Sequence, residues 1–267
     1  MKDKGTKPLI VQDYETLFER NSIEYIQIYD NIFTQEECKD YIAFHDKHSH
    51  KPDWVYKGKV GHFVQDDNKK QSLDLSLESH SKNKEKSKKV NPYMELFGRR
   101  IWGYLTLYLT KTVYWGAYPY INFLNSQEAV KLHEGFGLTN VNLRKYDKNT
   151  GGYFVPHYDN QGSGHQFRSI AIICYLNTLE YGGETIFPAL NRSVRPREGR
   201  IVIFPSNFTY LHYGNSSPED RYIISGHLLH DKRKDPQRLD YINIYTQGEK
   251  SNGEQKKTND DGNENSN

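Results

Sequence analysis

Cysteine is scarce. The chain holds only Cys38 and Cys174, too few for the disulfide framework of a small secreted domain. Cys174 lies inside the apolar run 170–176, where it is expected to be buried and inert, so the thiols read as reduced and the protein as intracellular and cytoplasmic. Long hydrophobic runs are also missing. None approaches the roughly 20 residues that a membrane span needs, and the charged opening residues 1–7 are followed by no apolar stretch of signal-peptide length. A soluble protein with no membrane partner is the expectation. A dominant charge is lacking too: 36 Lys and Arg face 34 Asp and Glu, for a formal charge of +2. Such a balance exerts no general pull towards nucleic acid, and any basic preference must be local.

What is present is enough chain, at 267 residues, for one substantial core with a small supporting region. Residues 1–23 read as a flexible N-terminus and 24–246 as a single domain. Within it, 24–137 support a core at 138–230, and 247–267 form a disordered tail. Residues 24–30 alternate like a strand. Thr34 then stands as an N-cap with Glu37 three residues on, a capping box opening a helix through Cys38, Tyr41, Ile42 and Phe44. Residues 66–90 are polar, with a Lys-rich run at 82–89, and read as a mobile loop. Met94, Leu96, Phe97, Ile101, Leu105, Tyr108 and Leu109 recur at spacings of three and four, which predicts a long amphipathic helix ending near Gly116. From 138 the pattern turns to short β-rich pieces divided by Gly, Asn and Pro, at 138–146, 153–157, 169–177, 184–187, 199–204, 209–213 and 221–229. Their number and spacing predict an antiparallel sandwich or barrel. Residues 241–245 could add an edge strand.

Within those strands, His157 and Asp159 are two apart and can face one cavity. His212 sits on a later strand that a neighbour could bring alongside. Two imidazoles and a carboxylate on one face leave positions open, as non-haem iron(II) oxygenases require. Arg221 follows nine residues after His212, past a turn-rich stretch. An always-charged, bidentate guanidinium beside such a metal suits a carboxylate ligand held away from water. Each feature alone has a plainer reading: His-x-Asp pairs occur by chance, and an isolated Arg usually pairs with a surface acid such as Glu219 or Asp220. Lone histidines such as His133, His165 and His227 are more often packed or exposed than ligating, and stay outside the metal set.

Together these motifs resemble the prolyl 4-hydroxylase-like branch of the iron(II)/2-oxoglutarate oxygenase superfamily, over roughly residues 138–230. The resemblance runs through Tyr146, Gly151, Phe154, His157 and Asp159. It continues through residues 175–177, 182–188, Val194, Pro196, Gly199 and Phe204, and closes on His212 and Arg221. The junction at 29–38 is similar as well. The resemblance implies a mainly β fold with supporting helices, a double-stranded β-helix (jelly-roll) core flanked by N-terminal α-helices. It implies that His157, Asp159 and His212 hold iron(II), that Arg221 grips the distal carboxylate of 2-oxoglutarate, and that Tyr146 and Ser225 offer hydroxyl contacts to that co-substrate. Dioxygen would be the oxidant and ascorbate an accessory reductant. The sequence departs from the family at His227, where these enzymes often carry Trp, and around Cys174.

The implied reaction hydroxylates an unactivated C–H, with succinate and carbon dioxide as co-products, and the favoured partner is a peptide or protein presenting a proline. A free amino acid or a nucleobase are alternatives, the latter drawing on the Lys-rich run as a phosphate track. A non-catalytic β-barrel module binding a metal or small acid is the reading from another class, and a zinc hydrolase would leave Arg221 without a role. The segment 52–64, with Trp54, Tyr56, His62 and Phe63, is expected to form part of a loop over the substrate. Its plainer reading is an ordinary edge of the core.

Overall fold

The computed structural model describes residues 25–60, 64–78, 83–109, 112, 136–162 and 165–230. The expected flexible N-terminus, edge strand at 241–245 and C-terminal tail lie outside the described residues, as do the end of the long helix near Gly116, His62, Phe63 and His133. Strand β1 (Gln27–Tyr29) leads into helix α1 (Gln35–His48), followed by β2 (Val55–Lys57), the small hairpin β3 (Lys59–Val60) and β4 (Val64–Gln65), then β5 (Leu73–Ser76) and the long helix α2 (Lys84–Leu109). The second half comprises β6 (Phe136–Tyr146), β7 (Phe154–His157), β8 (Arg168–Tyr175), β9 (Thr185–Phe187), β10 (Arg192–Val194), β11 (Ile201–Pro205), β12 (His212–Gly214) and β13 (Arg221–His230). A seven-stranded sheet in the order β1-β11-β8-β13-β6-β5-β2 faces a four-stranded sheet in the order β10-β9-β12-β7. All their pairings are antiparallel. This is the jelly-roll, or double-stranded β-helix, with its helices against the larger sheet.

Strand periodicity explains the two cores. Along β8, Ile170, Ile172 and Cys174 join a cluster with Tyr41, Phe97, Ile101 and Leu105 of the helices, while Ala171 and Tyr175 turn inward to Phe187, Val194 and Phe204. β11 divides the same way, Ile201 and Ile203 outward, Val202 and Phe204 inward. Central strands buried on both faces read as continuous apolar runs for this reason.

The capping box forms as expected: Glu37 N–H donates to Thr34 Oγ1 at 3.2 Å and Thr34 N–H to Glu37 Oε2 at 2.9 Å. Glu37 also accepts from Arg100 Nε at 3.1 Å, tying α1 to α2.

Two expectations fail. Residues 66–90 are not one loop, since they contain β5 and the first turns of α2. The polar text conceals buried pairs: Lys70 Nζ lies 2.7 Å from Asp74 Oδ2, and both side chains are nearly inaccessible. Asn83 Oδ1 accepts Lys86 N–H at 3.0 Å, and the buried Lys86 donates to the carbonyls of Asp53 and Trp54 at 3.2 Å each. The helix therefore starts at Lys84 and carries Pro92 inside it. Within the Lys-rich run, Lys86 is thus buried and Lys89 pairs along the helix with Glu85 at 2.8 Å. The second correction is Trp54. Its ring is 3% exposed and stacks on His48 at 4.3 Å, which makes it core and not part of a substrate loop.

Candidate metal and co-substrate site

Between the two sheets lies a cavity of about 850 Å³, and His157, Asp159, His212, Arg221, Tyr146, Ser225 and Tyr56 all line it. His157 closes β7 and His212 opens β12, directly opposite it in the antiparallel register. The sequence reading placed His212 in a strand at 209–213. Residues 208–210 are instead a 3-10 turn that delivers His212 to the first position of β12. One nitrogen from each imidazole and one oxygen of Asp159 lie within 4.8 Å of one another, and among the described residues this is the only cluster of its kind.

The imidazoles are set in the tautomer a metal needs. His157 Nδ1 lies 2.8 Å from the carbonyl of Val155, and His212 Nδ1 lies 3.0 Å from that of Tyr210. A carbonyl only accepts, so each Nδ1 carries its proton and donates, leaving Nε2 with a lone pair. Those Nε2 atoms point at Asp159, His157 to Oδ1 and His212 to Oδ2, each at 3.8 Å. Burial lowers the His157 pKa to about 3, with His212 adding to the effect. Burial pushes the Asp159 carboxyl up, but His227, His212 and His157 outweigh it and hold the group well below the usual carboxylate range. The cluster thus sets a carboxylate between two imidazoles, the donor set that takes a divalent cation.

Arg221 is 3% exposed, at the start of β13. Its Nη1 donates to the carbonyls of Gly183 at 2.6 Å and Asn215 at 3.3 Å. The guanidinium carbon sits 4.0 Å above the Tyr146 ring. Gly214 makes room for it, since a Cβ there would lie 2.9 Å from Nη2. Arg221 Nε and Ser225 Oγ, four residues apart on one strand, are both buried without a hydrogen-bond partner. Unmatched buried donors in a cavity wall fit an incoming carboxylate. The residues present therefore fit both a divalent metal and a 2-oxoglutarate-type acid. Tyr146 stacks on the arginine through its ring. Trp54 is not in the cavity, whereas Tyr56 is, donating its hydroxyl to Asn142 Oδ1 at 3.1 Å.

Sequence reasoning missed several neighbours. His227, set aside as a lone histidine, is buried with Nε2 3.2 Å from Asp159 Oδ1. Burial lowers its pKa to about 4 despite that carboxylate. The signal was available: Arg221, Ser225 and His227 share one parity on β13. Tyr175 lines the cavity too, donating to Thr185 Oγ1 at 2.7 Å. Lys70, Asp74, Arg144 and Arg168 complete its wall.

The family model of the 2OG-Fe(II) oxygenase superfamily matches residues 141–229, which contain every one of the candidate metal and co-substrate residues. No curated protein matches the chain. Solved structures do. A prolyl hydroxylase from Trichoplax adhaerens, in complex with a hypoxia inducible factor oxygen degradation domain peptide, superposes with a TM-score of 0.53 at 16% identity, over 89% of this chain and 98% of that one. A prolyl-4-hydroxylase from Pseudomonas putida gives 0.51 at 13% identity, over 81% and 99%. Over residues 141–229 the chain is thus similar to the 2OG-Fe(II) oxygenase superfamily, and its fold is the one prolyl hydroxylases have.

Proposed function

We propose that this chain is an iron(II)- and 2-oxoglutarate-dependent dioxygenase that hydroxylates an unactivated C–H of a peptide or protein substrate, a peptidyl proline first among them. One observation carries the reading: a pre-oriented His157, Asp159, His212 cluster shares a single cavity with a buried arginine whose Nε has no partner. A zinc hydrolase would need only the first half, and a structural arginine only the second.

In this reading His157 Nε2, Asp159 and His212 Nε2 hold iron on one face. The metal supplies the oxidising chemistry when dioxygen and 2-oxoglutarate are present, with succinate and carbon dioxide as co-products. Arg221 and Ser225 receive the distal carboxylate, and the stacked Tyr146 ring keeps the guanidinium in place. The carbonyls of Val155 and Tyr210 hold a proton on Nδ1, so that Nε2 is the nitrogen presented to the metal. The apolar layer of Phe187, Phe204 and Tyr175 excludes water from the deep end. The peptide preference draws on the fold shared with prolyl hydroxylases, one of them solved with a peptide. Ascorbate as an accessory and a cytoplasmic location complete the proposal.

The test is a screen of proline-containing peptides, following 2-oxoglutarate consumption and single-oxygen addition by mass spectrometry. Coupled consumption is expected for at least one peptide. Iron and 2-oxoglutarate binding with no decarboxylation across peptides, amino acids and nucleosides would make the chain a binding module instead.

A further inference from the structure

The cavity has a second charged region, built on β5, β6 and β8, that the metal and co-substrate do not use. Lys70 Nζ lies 2.7 Å and Arg144 Nε 3.3 Å from the same Asp74 oxygen, with side chains 1%, 15% and 4% exposed for Lys70, Arg144 and Asp74. Ser72 donates to the other Asp74 oxygen at 2.7 Å. Arg168 Nη1 donates to the main-chain carbonyl of Asp159 at 3.2 Å. The region abuts the ligand cluster, because Lys70 Nζ sits 5.3 Å from the centre of the Phe154 ring, which stacks 3.5 Å from that of His157.

Its charges do not balance. With Asp159, which also faces Arg168, given over to the metal, three cations are left facing Asp74 and Glu78, and Glu78 is taken up by the main-chain N–H of Asn140 and the hydroxyl of Thr139. Arg144 Nε meets Asp74 as an ion pair outside hydrogen-bonding geometry, and Arg168 Nε is buried with no hydrogen-bond partner. A buried cation short of counter-charge is unfavourable, and guanidinium N–H groups facing a cavity recover that cost when a carboxylate arrives. The co-substrate is not that carboxylate: iron(II), Asp159 and Arg221 together already balance a 2-oxoglutarate dianion. The anion has to come with the substrate.

We propose that Lys70, Arg144 and Arg168 form an anion subsite, and that the substrate places a carboxylate there, beside the carbon to be oxidised. Building on the peptide-oxygenase reading above, the source is an acidic side chain flanking the target residue. The three residues determine specificity; the metal and Arg221 do not.

The experiment measures binding of peptides to the full chain loaded with iron(II) and 2-oxoglutarate under nitrogen, so that it does not depend on turnover. Proline-containing peptides are made in isosteric pairs, Glu against Gln and Asp against Asn beside the proline, each with a free or an amidated C-terminus. The acidic member is expected to bind about 10-fold or more tightly, the size of one charge-assisted hydrogen bond. In Arg144→Gln that ratio should collapse towards unity, and Arg144→Lys should restore part of it. Equal affinity within wild-type pairs overturns the proposal, and that comparison needs no variant to fold. A preference that follows the free C-terminus, and is matched by free amino acids, keeps the anion subsite but moves its carboxylate from a side chain to a main-chain end. Admitting oxygen afterwards tests the oxygenase reading separately: acid-selective binding without decarboxylation sinks the latter and not the former.

Discussion

At the scale of single residues, function rests on which nitrogen carries a proton. Val155 and Tyr210 fix Nδ1–H on His157 and His212 through carbonyls two residues upstream, so Nε2 is free for a cation before any cation arrives. His212→Ala is therefore expected to abolish stoichiometric iron(II) uptake in an anaerobic titration. Arg221→Gln should leave iron uptake intact and weaken 2-oxoglutarate roughly 10- to 100-fold, as loss of a charge-assisted bond implies. Gly214→Ala should mimic it, since the added Cβ meets Arg221 Nη2 at 2.9 Å; unchanged co-substrate affinity in that variant would mean the guanidinium has slack. Of these residues, the His-x-Asp pair, His212, Arg221 and Ser225 could be read from the chain, because strand parity and residue type coincide. His227 shares that parity and was still passed over, because a histidine is a poor guide to its own partner until Asp159 is placed beside it.

At the scale of elements, α1 and the start of α2 meet around Trp54, and this is where sequence reasoning and structure part. Low apolar content at 66–90 hid a strand and a helix, because Lys70, Asp74 and Lys86 are buried by pairing and not by hydrophobicity. Composition sees the charge and cannot see its partner. Asp74→Asn should thus destabilise the fold by about 3–5 kcal/mol, the cost of stranding a buried cation, measured by chemical denaturation. The same junction has a pH signature. Burial, helped by Lys51, Lys89 and Lys47, lowers the His48 pKa from its usual 6.5. Below that value the unfolded chain binds a proton the folded one resists, so stability is full above it and falls on acidification. Comparing denaturation at about pH 8 and about pH 5, wild type should lose more stability than His48→Phe; an equal loss would place the acid sensitivity elsewhere.

At the scale of the whole molecule, the two-sheet architecture was legible from the number and regular spacing of the short β-rich pieces after residue 137. The helix at 94–109 was legible through its three-and-four spacing. What could not be read was register, which puts His212 opposite His157 and Arg221 opposite Tyr146. Because a ligand that binds only the folded state stabilises it, iron(II) at about 100 times its dissociation constant should add about 2.7 kcal/mol to unfolding. Among the described residues no helix is long and apolar enough to cross a membrane.

His157, Asp159 and His212 belong to the four-stranded sheet and its margin, whereas Arg221 and Ser225 ride on the seven-stranded one. Cation and organic acid are thereby anchored to different halves of the sandwich. Any breathing that parts those halves should release the acid first while the ion stays behind, so gentle loosening would shed the two components in a fixed sequence.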